Sequence, residues 1–276
     1  DKLTSVIAKE RVYVDEPMSR HTTFRVGGPA DFFVTPKAKE EVRDVIRICK
    51  EAGMPYYIIG NGSNLLVSDA GYRGVIVQIY KEMNEVKVEG DLVKAQAGAL
   101  LSGIAAKALG AELSGFEFAS GIPGSLGGAV VMNAGAYGGE MKDVLTEVTV
   151  LTPEGTFLTL PVAELDLSYR HSIIPERGYL VVSAVLELHP GKAEEIRAVM
   201  EDLKEKRVSK QPLEYPSAGS TFKRPEGYFA GKLIEDAGLR GFQVGGAQVS
   251  EKHCGFVINR DHATAADIME LMRQVQ

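Results

Sequence analysis

One glycine-rich stretch, Gly121–Gly135, decides the fold of this chain, and it reads GIPGSLGGAVVMNAG. Eight of the 30 glycines fall between Gly115 and Gly139. Because glycine loses more conformational freedom on folding than other residues, this concentration indicates that the backbone there needs positive φ or a close approach. The glycines lead into a predicted helix start, where free amides and the helix dipole favour a pyrophosphate. The alternative is that they only allow backbone segments to pack closely.

A second glycine-rich loop lies upstream, at Gly60–Asn64, between two apolar segments, Tyr56–Ile59 and Leu65–Val67, that we predict to be strands. Glycine and asparagine tolerate left-handed backbone, so successive amides can face one concavity and bind phosphate oxygens. A tight polar turn is the alternative. Neither loop has the G-x-G-x-x-G or the G-x-x-x-x-G-K-[ST] pattern. Two such loops in one chain nevertheless favour a phosphate-bearing ligand over simple packing.

Arg170 is a candidate ligand for a carboxylate. It lies in the run Tyr169-Arg170-His171-Ser172, and a guanidinium can hold a carboxylate through two parallel hydrogen bonds. Taken alone, this arginine also fits a solvated surface residue.

Ser220 is a candidate proton donor to an anionic substrate. Its hydroxyl follows a flexible glycine in the run Ala218–Pro225, and two cations, Arg207 and Lys210, precede that run. Taken alone, Ser220 also fits a structural turn serine. It lies in no G-x-S-x-G elbow and has no evident histidine–aspartate pairing, so a serine hydrolase is disfavoured.

The histidines and cysteines indicate no metal centre. The five histidines are scattered without H-E-x-x-H spacing, and the two cysteines form no C-x-x-C. Cys49 lies on the apolar face of a predicted helix and Cys254 follows His253, and we interpret both cysteines as structural.

Helical and alternating apolar patterns predict an α+β fold rather than a doubly wound parallel sheet. We predict helices at 40–50, 101–108, 193–206 and 268–275. We predict strands at 56–59, 65–67, 74–79, 86–88, 93–95, 148–151, 156–160 and 179–188. A change in composition predicts a first domain at 1–190 and a second at 191–276.

Composition limits the class of protein. The 276 residues are 45% hydrophobic and 25% charged, with a net charge of −6, which gives no reason to expect nucleic acid as a partner. No apolar run approaches the roughly 18 residues of a membrane span, and two distant cysteines predict no disulfide scaffold. We therefore expect a cytoplasmic protein without membrane insertion, and no obligate protein partner is evident.

Six motifs occur in order along the chain: Arg20–Gly28 (RHTTFRVGG), Ile59–Leu66 (IGNGSNLL), Gly121–Ser125 (GIPGS), Asn133–Gly138 (NAGAYG), Tyr169-Arg170 and Ala218–Lys223 (AGSTFK). Together they resemble the UDP-N-acetylenolpyruvoylglucosamine reductase family, from about Arg20 to Gln276. The short interval between Arg170 and Val182 is similar to the subtype that lacks an inserted, tyrosine-bearing segment. The resemblance also implies two lobes within the first domain, meeting near residue 83.

The resemblance implies a two-lobed FAD-binding domain of the vanillyl-alcohol-oxidase type, followed by a smaller α+β substrate-binding domain. It implies reduction of UDP-N-acetylglucosamine enolpyruvate by NADPH through FAD, in peptidoglycan precursor synthesis. Ser220 then matches the proton donor and Arg170 the arginine that polarises the enolpyruvyl carboxylate. Substrate-binding residues would be Tyr169, Arg207, Lys210 and Lys223. The flavin pyrophosphate would lie against Gly60, Asn61, Gly62, Ser63, Asn64 and Leu65, and against Gly121, Ile122, Pro123, Gly124, Ser125, Gly127 and Gly128.

One departure from the family pattern concerns a third catalytic residue, a glutamate in a P-E-V-R-like motif near the C-terminus. That motif is missing here, and neither Glu251 nor Glu270 lies in a matching context. The last predicted helix is still in progress at Gln276, so we expect the native protein to continue. Two rival functions stay open: an FAD-dependent oxidoreductase of the same fold with another substrate, and a non-catalytic flavin- or nucleotide-binding protein.

Overall fold

The structure is a computed structural model that describes residues 2–276. Its helices are α1 (Lys39–Glu51), α2 (Leu101–Gly110), α3 (Leu126–Val131), α4 (Ala193–Lys210), α5 (Ala230–Asp236) and α6 (Ala265–Val275). Short 3-10 helices lie at Leu3–Ser5, Lys9–Arg11, Met18–Arg20, Glu117–Ala119, Met141–Asp143 and Val162–Glu164.

The strands are short and mostly antiparallel, and we number them along the chain. They are β1 (Val12–Pro17), β2 (Pro29–Val34), β3 (Tyr56–Ile59), β4 (Tyr72–Gln78), β5 (Val86–Glu89), β6 (Leu92–Gln96), β7 (Leu113–Ser114), β8 (Gly135–Ala136), β9 (Gly139–Glu140), β10 (Leu145–Leu151), β11 (Phe157–Pro161), β12 (Leu180–Glu187), β13 (His189–Pro190), β14 (Ser217–Ser220), β15 (Gln243–Val244), β16 (Ala247–Val249) and β17 (Phe256–Asn259).

The chain separates into two compact units, and each consists of several segments. The first comprises residues 2–13, Phe33–Asn61 and Val75–Lys204, and the second comprises Val14–Phe32, Gly62–Gly74 and Glu205–Gln276.

A five-stranded antiparallel sheet is the frame of the first unit. Its strand order is β11-β10-β12-β6-β5, and α2 and α3 pack against it. The β5–β6 hairpin turns at Gly90, whose φ of +60° suits glycine. In the same unit, β3 pairs in parallel with β4. Helix α1 buries Val42, Val45, Ile46 and Cys49 on one face, which confirms the predicted apolar stripe.

A four-stranded antiparallel sheet, in the order β14-β17-β16-β15, is the frame of the second unit. Helix α6 packs on β15 and β16 and buries Ile268 and Leu271. Two amides at its start, those of Ala265 and Ala266, donate to the Asp69 carboxylate at 2.8 and 3.0 Å. A loop distant in sequence therefore caps this helix.

The compact units divide the chain differently from the predicted domains. The second unit resumes at Glu205, inside α4 (Ala193–Lys210), and Met200 of this helix still packs on the core of the first unit. The second unit also includes two N-terminal segments. Packing does not identify the ligand of a unit, so the assignment of FAD to 1–190 and of substrate to 191–276 stays a prediction.

The predicted strand at Leu65–Val67 is wrong. These residues form no strand, although Leu66 packs on the core of the second unit. Their apolar character therefore reflects burial by loop packing rather than sheet pairing.

Candidate functional site

The first glycine loop presents backbone donors. In the part of the chain that the structure describes, no amide of residues 60–65 donates to a protein acceptor, although Gly62 itself is buried. Gly62 has a φ of +66°, in the left-handed region. Gly62 is the buried residue of this loop, and because an unpaired buried amide is rare, its N–H fits a ligand with acceptor oxygens. Gly60 and Asn61 belong to the first unit and Gly62–Leu65 to the second.

The second glycine segment meets the first loop within the first unit. Asn61 Nδ2 donates to the Pro123 carbonyl at 3.0 Å. A Cβ atom on Gly60 would stand 2.1 Å from Ser125 Oγ, so only glycine fits there without a shift. The predicted helix start is confirmed, because α3 begins at Leu126 after Ser125.

The start of α3 offers fewer phosphate donors than the sequence predicted. The Leu126 amide donates to the Ala99 carbonyl and the Gly127 amide to the Ala97 carbonyl, both at 2.9 Å. These bonds fasten α3 to the segment that follows β6. Gly128 is exposed, and a Cβ atom on it would meet nothing within 4 Å. Its surface leaves room for close approach by a ligand.

Arg170 projects from a tight turn in the first unit. Ser168 and His171 exchange backbone hydrogen bonds of 3.2 and 3.1 Å across Tyr169 and Arg170. Arg170 has a φ of +54°, at the turn position where glycine or asparagine is usual. Its guanidinium is exposed, lies 5.1 Å from the Tyr169 ring centroid, and donates to the Gly135 carbonyl at a long 3.4 Å. An exposed, weakly bound guanidinium can take up a carboxylate.

Asn133 is a buried polar residue of this region that sequence reasoning left without a role. It is 0% exposed and has a φ of +42°. Its Nδ2 donates to the Ser168 carbonyl at 3.0 Å and to Glu140 Oε2 at 3.2 Å, and its Oδ1 accepts from the Lys142 amide at 3.0 Å. The sequence pointed to Asn133 only as the first residue of the Asn133–Gly138 motif.

Glu140 is the carboxylate that accepts a hydrogen bond from Asn133. Its pKa lies below the ordinary value, because Lys142 and Asn133 donate hydrogen bonds to it and the positive charge of Arg170 acts on it. It therefore stays ionised at neutral pH.

Ser220 lies at the exposed end of β14 in the second unit. Its neighbour Gly219 has a φ of +78° at an irregularity in the pairing of β14 with β17, where Ser217 faces Ile258 and Ser220 faces Phe256. The next residue, Thr221, is held by its amide, which donates to the Gly255 carbonyl at 2.9 Å. The serine hydroxyl therefore sits exposed on an anchored strand end.

The cations predicted to bind substrate have different surroundings. Arg207 lies in the last turn of α4, where its Nη1 donates to Gln211 Oε1 at 3.2 Å, and Lys210 ends the same helix. Lys223 is exposed beyond β14, and the adjacent Arg224 stacks on the Phe229 ring at 4.0 Å.

Both cysteines and His253 behave as packing residues. Cys49 and Cys254 are buried free thiols. Burial raises the pKa of Cys49 to about 11, and it also raises the pKa of Cys254. Burial lowers the pKa of His253, whose ring packs edge-on against Phe256. Residues 2–276 contain no cluster of three or more acidic, histidine or cysteine side chains that could hold a metal ion.

Comparison with known proteins identifies the family. The C-terminal domain of UDP-N-acetylenolpyruvoylglucosamine reductase matches residues 211–276, and an FAD binding domain matches residues 30–161. A UDP-N-acetylenolpyruvoylglucosamine reductase of Agathobacter rectalis is 58% identical over 274 residues, which cover 95% of this chain and 87% of that protein. The chain belongs to the UDP-N-acetylenolpyruvoylglucosamine reductase family. The predicted family is therefore confirmed.

Solved structures confirm the fold class. The crystal structure of UDP-N-acetylenolpyruvylglucosamine reductase from Thermus caldophilus is 38% identical, has a TM-score of 0.84, and is matched over 96% of this chain and 93% of that chain. A p-cresol methylhydroxylase is 18% identical with a TM-score of 0.53, over 69% of this chain and 42% of that chain, and it shares the fold alone. The α+β class with an FAD-binding domain of the vanillyl-alcohol-oxidase type is thus confirmed.

None of the helices in residues 2–276 combines the length and apolar character needed to cross a bilayer.

Proposed function

We propose that this protein is a flavoenzyme that reduces UDP-N-acetylglucosamine enolpyruvate to UDP-N-acetylmuramate with NADPH, in peptidoglycan precursor synthesis. One observation carries the proposal: the chain is 58% identical to a UDP-N-acetylenolpyruvoylglucosamine reductase over 274 residues. Both nucleotide reactants are charged and do not cross membranes unaided, so we propose that the reaction runs in the cytoplasm.

The chemistry adds a hydride and a proton across the enolpyruvyl double bond, and NADPH becomes NADP⁺. FAD, if bound here, would supply the redox chemistry by which a hydride from NADPH reaches the β-carbon of the enolpyruvyl group. In the first unit, the amides of Gly60 and Asn61 and the open surface at Gly128 suit the pyrophosphate of FAD.

Arg170 is the proposed electrostatic group. Hydride addition to the β-carbon drives negative charge toward the carboxylate of the substrate. A cation at the carboxylate therefore stabilises the transition state more than the bound substrate, which is what raises the rate. The fork of a guanidinium also fixes the carboxylate plane. Tyr169, on whose ring Arg170 stacks, is proposed to contact the substrate as well.

Ser220 is the proposed proton donor to the neighbouring carbon. A serine hydroxyl is a weak acid, so its proton moves only as negative charge develops on the substrate beside it. The exposure of Ser220 supports the role, because water can replace the proton after each turnover. Arg207, Lys210 and Lys223 are proposed to hold the diphosphate of the substrate.

An anaerobic titration of the FAD-loaded protein tests the proposal. NADPH is added first and should bleach the visible flavin band, and UDP-N-acetylglucosamine enolpyruvate is added next and should restore it. A protein that takes up no FAD would contradict every flavoenzyme assignment. Bleaching without return, in a protein that binds the substrate, would contradict the proposed reduction and favour another acceptor.

A further inference from the structure

The turn that carries Arg170 is tied at both ends to one helix terminus. On one side, Asn133 Nδ2 donates to the Ser168 carbonyl at 3.0 Å. On the other side, Ser172 Oγ donates to the Val131 carbonyl at 2.7 Å. Asn133 is 0% exposed and Ser172 is 2% exposed, so the donor residue of each bond is buried. Val131 is the last residue of α3, and Asn133 lies two positions beyond it.

Asn133 meets a combination of demands that few residues satisfy. Its left-handed φ suits asparagine better than most side chains. Its amide uses both donor and acceptor capacity, toward Ser168, Glu140 and Lys142. Aspartate preserves the shape and the acceptor but loses the donor at neutral pH.

The residues that the structure describes hold the Arg170 side chain only weakly. The side chain is exposed, lies 5.1 Å from the Tyr169 ring centroid, and donates to the Gly135 carbonyl at 3.4 Å. The placement of the guanidinium therefore depends on the turn from which it projects, and the turn depends on Asn133 and Ser172.

Helix α3 connects this turn to the second glycine segment. The helix has six residues and is about 9 Å long. Its first two amides are bonded to the Ala99 and Ala97 carbonyls, and Ser125 before it packs on Gly60. One short, bonded helix thus links the segment proposed for the flavin to the arginine proposed for the carboxylate.

We infer that Asn133 and Ser172 are positioning residues that fix the Arg170 turn to the end of α3, and so set where the substrate carboxylate is held. The inference rests on the proposed role of Arg170.

The first test compares two variants with a matched control. Ser172→Ala removes the hydroxyl donor to Val131, and Asn133→Asp removes the amide donor to Ser168. Both should slow flavin reoxidation by UDP-N-acetylglucosamine enolpyruvate roughly ten- to hundredfold, because small misplacements of a catalytic group are costly. Flavin reduction by NADPH should change less than about threefold. The control Thr146→Val removes a hydroxyl bond to the Val185 carbonyl of the same unit, and it should change neither rate.

The second test asks whether both residues act through Arg170. Each variant is combined with Arg170→Ala, and reoxidation should then be no slower than with Arg170→Ala alone. Additive slowing would overturn the inference. If Arg170→Ala alone leaves reoxidation unchanged, the proposed role of Arg170 fails as well. If Arg170→Ala slows reoxidation but the folded Ser172→Ala protein does not, only the inference fails.

A third measurement needs neither flavin nor turnover. Hydrogen exchange of the apo-protein should be faster in a peptide covering residues 165–175 for both variants, and unchanged for Thr146→Val. Unchanged exchange in that peptide would overturn the inference, because the turn would then be held by other contacts. Ser172→Ala decides the outcome if Asn133→Asp does not fold.

Discussion

At the scale of the residue, Arg170 combines a chemical role with an unfavourable backbone conformation. Its φ of +54° belongs to the left-handed region that residues with a Cβ atom seldom occupy. Strain of this kind costs on the order of 1 kcal/mol and persists where the surrounding structure imposes it. The ties from Asn133 and Ser172 supply that constraint here.

The substitution Arg170→Gly separates the two properties. Glycine accepts this backbone without a clash, so the free energy of unfolding should stay within about 1 kcal/mol of the wild type. Reoxidation of flavin by substrate should fall by roughly a hundredfold or more, because the group that stabilises the developing charge is lost. Denaturant unfolding and stopped-flow reoxidation measure the two effects. A large loss of stability with normal reoxidation would make Arg170 a structural residue.

Ser220→Ala tests the proton donor. Flavin reduction by NADPH should be nearly unchanged, while reoxidation by substrate should slow by on the order of a hundredfold or more. Single-turnover absorbance traces of each half-reaction measure this. Because Ser220 is exposed and lies at a strand end, stability should hardly change. Equal loss in both half-reactions would assign Ser220 a structural role instead.

At the scale of the element, a partly buried ion pair joins the 3-10 helix Lys9–Arg11 to α1. Arg11 Nη1 and Nη2 donate to the two Glu41 oxygens at 2.7 and 2.9 Å, and the Arg11 side chain is 11% exposed. This bidentate bond, above all, holds the pKa of Glu41 below its ordinary 4.5. A lowered pKa stabilises the fold above that value, and the contribution is lost as the pH falls through the folded-state pKa.

Glu41→Gln should therefore lower the free energy of unfolding at neutral pH by about 2 kcal/mol. The difference between variant and wild type should narrow as the pH falls from 4.5 toward the lower folded-state pKa of Glu41, because the unfolded carboxylate takes up a proton before the folded one does. Urea unfolding across the acid range measures both. A difference that stays constant through that range would mean that the charge of Glu41 does not contribute.

The two glycine segments meet at one position that tolerates no side chain. Gly60→Ala would place Cβ 2.1 Å from Ser125 Oγ, and we expect it to cost about 1–3 kcal/mol of stability and to weaken FAD retention. Adding Ser125→Ala removes the clashing atom and should recover most of the stability. Thermal unfolding and flavin release measure the two effects.

Gly103→Ala is the matched control for that clash. Gly103 lies inside α2, and a Cβ atom there meets nothing within 4 Å. The substitution should be neutral or stabilise by up to about 1 kcal/mol, because alanine favours helix. A Gly60→Ala protein as stable as this control would contradict the close approach.

At the scale of the whole molecule, each compact unit is assembled from segments that are distant in sequence. Residues 14–32 and 62–74 pack in the unit that contains the C-terminal residues. The contact between Asn259 Nδ2 and the Phe24 carbonyl, at 2.9 Å, joins residues 235 positions apart. Such contacts form only late in folding, because long loops must close first.

FAD binding should raise the free energy of unfolding of this protein. A ligand that binds only the folded state contributes about 2.7 kcal/mol when its free concentration is a hundred times Kd. The unfolding temperature of apo-protein should rise steadily with added FAD. No rise, together with no flavin fluorescence quenching, would contradict an FAD site in this chain. Gly60→Ala should reduce the rise if the glycine loops hold the cofactor.

The sequence by itself determined the features that depend on near neighbours. The apolar stripe of α1, the β5–β6 hairpin at Gly90 and the start of α3 after Ser125 follow from side-chain spacing and turn chemistry over a few residues. The family was also predictable, because ordered motifs are a property of the sequence. The strands β1 and β2 were not predicted, because their six residues show no alternation of buried and exposed positions. The strands β14–β17, with two to four residues each, and the seven-residue helix α5 are too short for periodicity to distinguish them.

Only the tertiary structure decided which polar groups are satisfied. Nothing local to Leu126 and Gly127 indicates that their amides bond to Ala99 and Ala97 instead of remaining free for a phosphate. Asn133 bonds to Ser168 across 35 positions, and Ser172 bonds to Val131 across 41. The partner of a buried donor is set by packing between distant segments, and local sequence carries no record of it. Packing between distant segments also explains the apolar run 65–67, where Leu66 packs on the core of the second unit although these residues form no strand.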